Sequence, residues 1–66
     1  MRIALNGTDT EIPAGLTIGM LLERMGVQRH RVAVEKNSDV VPKKNYEEVT
    51  LNSGDVIEVV AFVGGG

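Results

Sequence analysis

The segment Val56-Ile57-Glu58-Val59-Val60-Ala61-Phe62 is apolar on both sides of a strand. At the period of two that a strand imposes, Ile57, Val59 and Ala61 share one face. Val56, Glu58, Val60 and Phe62 share the other. Such a strand belongs in the middle of a sheet, covered from each side. The chain has 66 residues, enough for one domain, and its pattern contains a single helix. That helix covers one face of the strand. Val60 and Phe62, on the opposite face, are left for a partner's surface or for a small second core under the loop at residues 43–48.

The remaining segments supply the rest of a mixed sheet. Met1, Ile3 and Leu5 alternate with Arg2 and Ala4, and Asn6-Gly7 follows, the pair best suited to a two-residue type I′ turn. The register it sets places Ile3 opposite Thr10, Leu5 opposite Thr8 and Arg2 opposite Glu11, so one pairing satisfies both the apolar face and the charges. Pro13-Ala14-Gly15 breaks the second strand. Thr17 is placed to cap a helix, with Leu16 available to staple onto Leu21. Ile18, Leu21, Leu22 and Met25 recur at i, i+3, i+4 and i+7, and Gly26 stands at the stop. Met20 and Met25 read as core filler. Residues 31–35, "RVAVE", form a third strand; "NSD" (Asn37 to Asp39) turns the chain, and Val40-Val41-Pro42 fits a brief edge segment. "KKNYEE" reads as irregular or as one tight turn. Val49 and Leu51 point inward before "NSGD" turns the chain into the closing strand.

Composition excludes several classes of function. There is no cysteine, hence no disulfide, thiolate nucleophile or cysteine-ligated metal. The longest apolar run, Val59 to Val63, falls far short of the ~20 residues of a spanning helix, and the N-terminus lacks the apolar centre of a signal peptide. The chain therefore reads as soluble and cytoplasmic. Seven basic and nine acidic residues give a net charge of −2, and Tyr46 and Phe62 are the only aromatics, which argues against nucleic acid. "QRHR" (Gln28 to Arg31) is a small basic cluster, read as a solvated loop rather than a docking site. His30, the only histidine, lies in that loop. Arg2 accounts for Glu11, which shares a strand face with Asp9, and Glu47-Glu48 need not face one site. No phosphate loop or metal-ligand spacing is present. Catalysis by this chain alone is not expected.

The sequence closes on Gly64-Gly65-Gly66. Glycines lack a β-carbon and form a thin arm that enters a narrow cleft backbone-first. An α-carboxyl group is ionised at neutral pH and is a poor electrophile. To react it must be activated, most simply as a mixed anhydride with AMP, and this chain offers no nucleotide site for that. A partner would activate it, after which the acyl carbon accepts an amine or a sulfur donor. The plain alternative is a frayed end.

The length, the opening "LNG" turn, "LTIGMLLERMG", "VAVEKNSDVVPKKNY" and above all "GDVIEVVAFVGGG" together resemble the ThiS family, the sulfur carriers of thiamin biosynthesis. The resemblance spans essentially the whole chain and implies an α+β, ubiquitin-like β-grasp fold: a domain over residues 1–63 and a carrier tail over residues 64–66. It implies that a ThiF-like, ubiquitin-activating-type enzyme adenylates the carboxyl of Gly66 with ATP, no cofactor being bound by the chain itself. A cysteine desulfurase or another sulfur source then converts it to a thiocarboxylate. A ThiG-like thiazole synthase takes that sulfur into the thiazole ring. Gly64 and Gly65 match the thin arm, and Val60, Phe62 and Val63 match the apolar stretch used for docking. The small subunit of molybdopterin synthase and the ubiquitin-like modifiers share the fold and the diglycine end; shortness and "VPKKNY" favour the thiamin carriers. A β-grasp interaction domain with an inert tail is the alternative of another class.

Overall fold

The computed structural model describes residues 1–62; Val63, Gly64, Gly65 and Gly66, the end of the expected domain and its tail, lie outside the described residues. Six regular elements follow one another: β1 (Arg2–Leu5), β2 (Thr8–Glu11), α1 (Ile18–Met25), β3 (Val32–Lys36), β4 (Asp39–Val40) and β5 (Val56–Ala61). Single 3-10 turns occupy Arg29–Arg31 and Lys43–Asn45. The sheet runs in the order β2-β1-β5-β3-β4, so the strand that is apolar on both faces is the central one. β5 is parallel to β1 and antiparallel to β3. A mixed sheet wrapped around one helix is the β-grasp arrangement that the resemblance implies.

The first hairpin has the expected register, with Arg2 opposite Glu11 and Ile3 opposite Thr10. Asn6 (φ 51°) and Gly7 (φ 81°) both adopt positive φ, as a type I′ turn requires. The turn at "NSD" is a second two-residue loop of the same hand, with Asn37 at φ 53° and Ser38 at φ 77° between the paired Lys36 and Asp39.

The helix is bounded at both ends as the residues dictate. The Thr17 hydroxyl accepts from the Met20 amide at 3.2 Å, and Gly26 closes the helix in the left-handed region. The orphan donors of its first turn find partners in the loop before β5: Ile18 N–H donates to the Val49 carbonyl and Gly19 N–H to the Tyr46 carbonyl. One buried cluster joins helix, sheet and loop through residues including Ile3, Ile18, Leu22, Val34, Tyr46 and Ile57.

Three expectations are corrected. Met20 is not core filler but 44% exposed: at about 100° per residue it falls on the side of α1 opposite the apolar stripe, whereas Met25 packs against the core. The third strand begins at Val32 rather than Arg31, because Arg31 closes a 3-10 turn through its N–H bond to the Gln28 carbonyl. No second core forms under residues 43–48. That loop lies on the helix side of the sheet, so Tyr46, 1% exposed, and Val49 join the main cluster.

Candidate functional site

The far end of β5 is where the sequence places the docking residues, and two turns grip the preceding part of that strand, from Val56 to Val59. Asn6 donates its N–H to the Ile57 carbonyl at 2.9 Å and accepts the Val59 N–H on its side-chain oxygen at 2.7 Å. The pairing of β1 with β5 ends at Leu5 opposite Ile57, so this side chain continues the ladder one step past the last strand residue. Asn37 does the corresponding work from the second hairpin. Its N–H donates to the Val56 carbonyl at 2.8 Å, and its side-chain oxygen accepts the Val56 N–H at 2.9 Å. Its Nδ2 donates to Asp55 Oδ1 at 3.1 Å.

Asp55 is buried with its charge compensated. Its other oxygen accepts the Asn52 N–H at 2.8 Å and lies 3.7 Å from Lys36 Nζ, in keeping with the rule that buried charges are paired or hydrogen-bonded. Two hairpin turns and a buried carboxylate thus grip the same strand. Sequence reasoning located both turns but not these grips. The signal was the identity of the turn residue: asparagine tolerates positive φ and also carries an acceptor and a donor that glycine lacks.

On the face away from the helix, Val60 is 59% exposed and Phe62, one step past the strand, is 54% exposed. Val56 and Val40 are exposed on the sheet as well. Glu58 lies directly opposite Glu35 across the strands, a like-charge pair that costs stability in the free molecule. Phe62 is held at its root by its N–H bond to the Arg31 carbonyl at 2.9 Å. The Lys43 ammonium lies 5.0 Å from the centre of its ring. Val63 and Gly64, Gly65 and Gly66 lie beyond the described residues.

Several other charged groups are occupied structurally. Arg2 reaches Asp9 at 3.4 Å and Glu11 at 3.6 Å, and Arg29 pairs with Glu47. His30 is exposed in its 3-10 turn. Among the described residues no three of His, Cys, Asp and Glu are arranged to hold a metal, and no helix is long and apolar enough to cross a membrane. A shallow pocket of about 280 Å³, lined by Lys36, Asp39, Pro42 and Val49 among others, is just below the usual size of ligand sites. Burial raises the Tyr46 hydroxyl above its ordinary pKa, with Arg29 opposing the shift.

The chain matches the model of the ThiS family over residues 2–66. It is 42% identical over 65 residues to the sulfur carrier protein ThiS of Bacillus subtilis, covering 97% of this chain and 98% of that protein. It is 44% identical over 66 residues to the thiazole synthase of Paramagnetospirillum magneticum, a match that takes in all of this chain but only 20% of that protein. The crystal structure of the thiamine biosynthesis protein ThiS from Geobacter metallireducens superimposes with a TM-score of 0.87 at 30% identity, over the full length of both chains. Fold, length and sequence agree from the first strand onward, and the chain belongs to the ThiS family.

Proposed function

We propose that this chain is a sulfur carrier of thiamin biosynthesis that carries its cargo on the α-carboxyl group of Gly66. A ThiF-like partner joins that carboxylate to AMP at the expense of ATP, releasing pyrophosphate. The terminal sulfur of a persulfide formed by a cysteine desulfurase then displaces AMP to give an acyl disulfide. A partner's thiol reduces that S–S bond, becoming a disulfide itself and releasing the thiocarboxylate; a sulfide donor displaces AMP and gives the thiocarboxylate directly. A ThiG-like thiazole synthase takes the sulfur. Gly64 and Gly65 keep the approach thin, because a side chain there would widen the arm that must enter the partner's cleft. Val60, Phe62 and Val63 form the apolar part of the docking surface. The chain contributes cargo and recognition, and the partners contribute catalysis and the nucleotide.

The observation that carries this reading is the near full-length likeness to a named sulfur carrier, within a family match that runs through the final glycine. The thiazole synthase whose segment resembles this chain supports a synthase of that kind as the receiver, since carrier-like and synthase sequence occur there in one polypeptide. The same family match favours thiamin over molybdopterin assembly.

Intact-mass spectrometry after incubation with a ThiF-type enzyme, ATP and a sulfur donor tests the proposal. The expected product gains the mass difference of one sulfur in place of one oxygen, localised to Gly66 by fragmentation. Deleting Gly66 is expected to abolish the gain and to change thermal unfolding little, since a single terminal residue contributes little to global stability and, among the described residues, the buried core lies between Ile3 and Ile57. A chain that remains unmodified with an active enzyme and donor would refute the carrier reading.

A further inference from the structure

Two basic segments that are separate in the sequence meet at the point where β5 ends. The Lys43 side chain crosses from one 3-10 turn to the other and donates to the His30 carbonyl at 3.0 Å. Its ammonium also stands over the Phe62 ring, while Phe62 is bonded through its own N–H to the Arg31 carbonyl. His30, Arg31, Lys43 and Lys44 are all exposed; Lys43 and the Arg31 backbone meet at Phe62, the His30 carbonyl is bonded to Lys43, and Lys44 follows Lys43 in the same turn. Among the described residues Arg31, Lys43 and Lys44 enter no ion pair, as is also true of Arg24 on α1, whereas Arg2, Arg29 and Lys36 are each matched to carboxylates elsewhere. The whole chain is net negative at −2, so this concentration of positive charge is local. The bond to His30 and the aromatic ring hold the Lys43 charge in place, and a charge held in place costs less ordering when a partner meets it.

We infer that this basic collar at the root of the closing segment is an electrostatic docking site for acidic side chains on the rim of the partner cleft that receives the tail. The inference rests on the carrier reading. Residues 63–66 span at most roughly 14 Å when fully extended, which sets how far from Phe62 a reacting carboxyl at Gly66 can reach. A cleft deep enough to take those four residues brings its mouth to the collar, while its nucleotide lies at the far end of the arm. The groups that face Arg31 and Lys43 are then protein side chains rather than phosphates, and carboxylates are the complement that steers and registers such an encounter. The collar is continuous with Phe62, already part of the apolar docking surface, so the footprint has an apolar centre with cations at the Phe62 end and the Glu35–Glu58 pair farther back along the sheet.

The test compares wild type, Lys43→Arg, Lys44→Glu and the double reversal Arg31→Glu with Lys43→Glu. Affinity for a ThiF-type enzyme from the same organism is measured by calorimetry at low and high ionic strength, with and without ATP. The double reversal is expected to raise Kd at least tenfold at low salt and to flatten the salt dependence seen for wild type. Lys44→Glu, which disturbs no contact of the ring, is expected to give a smaller loss in the same direction, and Lys43→Arg to bind as wild type does. Should the double variant fail to fold, the Lys44→Glu result decides. Unchanged affinity in the reversals, or wild-type binding insensitive to salt, overturns the collar. A loss seen only with ATP present also overturns it, since the cations would then read phosphate. Sulfur loading of wild type is scored separately. Loading with indifferent reversals refutes the collar alone; charge-dependent binding without loading refutes the carrier reading alone; no binding by wild type overturns both.

Discussion

Phe62→Ala separates the two roles open to the residue. The ring is 54% exposed, so a little under half of it is covered. Complete burial of a phenylalanine side chain contributes about 1.5–3 kcal/mol, which leaves roughly 1 kcal/mol for the covered part. The Lys43 ammonium over the ring adds about 0.5–1 kcal/mol at an exposed site. The expected loss is therefore about 1–2 kcal/mol, against about 3–5 for a phenylalanine removed from a core. In a domain of this size 1 kcal/mol moves the melting temperature by roughly 4–8 °C. Urea titration followed by far-ultraviolet circular dichroism measures the difference, since the chain has no tryptophan. The variant is expected to stay folded and to bind the adenylating partner more weakly. A loss above 3 kcal/mol would show the ring to be a core element, and the docking role assigned to it would fall. A double-mutant cycle with Lys43→Met isolates the ring–ammonium contribution.

Asn37→Gly retains a backbone suited to φ 53° while deleting the side-chain bonds to Val56 and Asp55; at about 1 kcal/mol per bond the expected loss is about 1–2 kcal/mol by urea titration, and no loss would show that the turn alone positions β5. Asn37→Ala adds a left-handed penalty of about 1–2 kcal/mol, so it is expected to be the less stable of the pair. Tyr46 gives a pH dependence whose sign is fixed: its pKa is raised above 10.0 in the folded chain by burial, so as pH passes 10.0 the unfolded chain loses that proton first. Its contribution to stability is constant below that pH and declines above it. Wild type is thus expected to lose stability more steeply than Tyr46→Phe in alkaline titrations, and parallel curves would refute the assignment.

How far the sequence discloses this molecule follows from the range of each interaction. Asn6-Gly7, Thr17 and Gly26 act on neighbours a few residues away, and hairpin, helix start and helix stop stand where those residues indicate. β5 could be placed at the centre because its two apolar faces demand cover from both sides. Met20 was misread because residue type was given more weight than its angle from the stripe. The Lys43 contacts link positions 13 and 19 residues apart, to His30 and Phe62, through a flexible side chain with no period or spacing to announce it. "QRHR" therefore looked like an isolated solvated loop until the fold brought residue 43 across to it. The tail chemistry remains a proposal, read from residue type alone: Gly64, Gly65 and Gly66 lie outside the described residues, and the fold adds nothing to that reading.

A single helix limits what the sheet can bury, and the limit has a use. β5 is bonded on one side to β3 from Ile57 to Ala61 and on the other to β1 and the Asn6 side chain as far as Val59, so opening its first half requires breaking both ladders, while its far end is held through β3. Local opening is cheapest where few bonds and little apolar contact must be broken, which describes β4, two residues long at one edge, rather than β5. In the docking proposed above, a partner that grips Val60 and Phe62 pulls on a strand that is fixed on both sides as far as Val59. An apolar docking face on an edge strand would present both exposed side chains and unpaired backbone, an invitation to unwanted strand pairing. In the proposed docking, Val60 and Phe62 are offered from a strand whose backbone is committed at that end to β3 and the Arg31 carbonyl, so recognition there rests on side chains and charge more than on strand pairing.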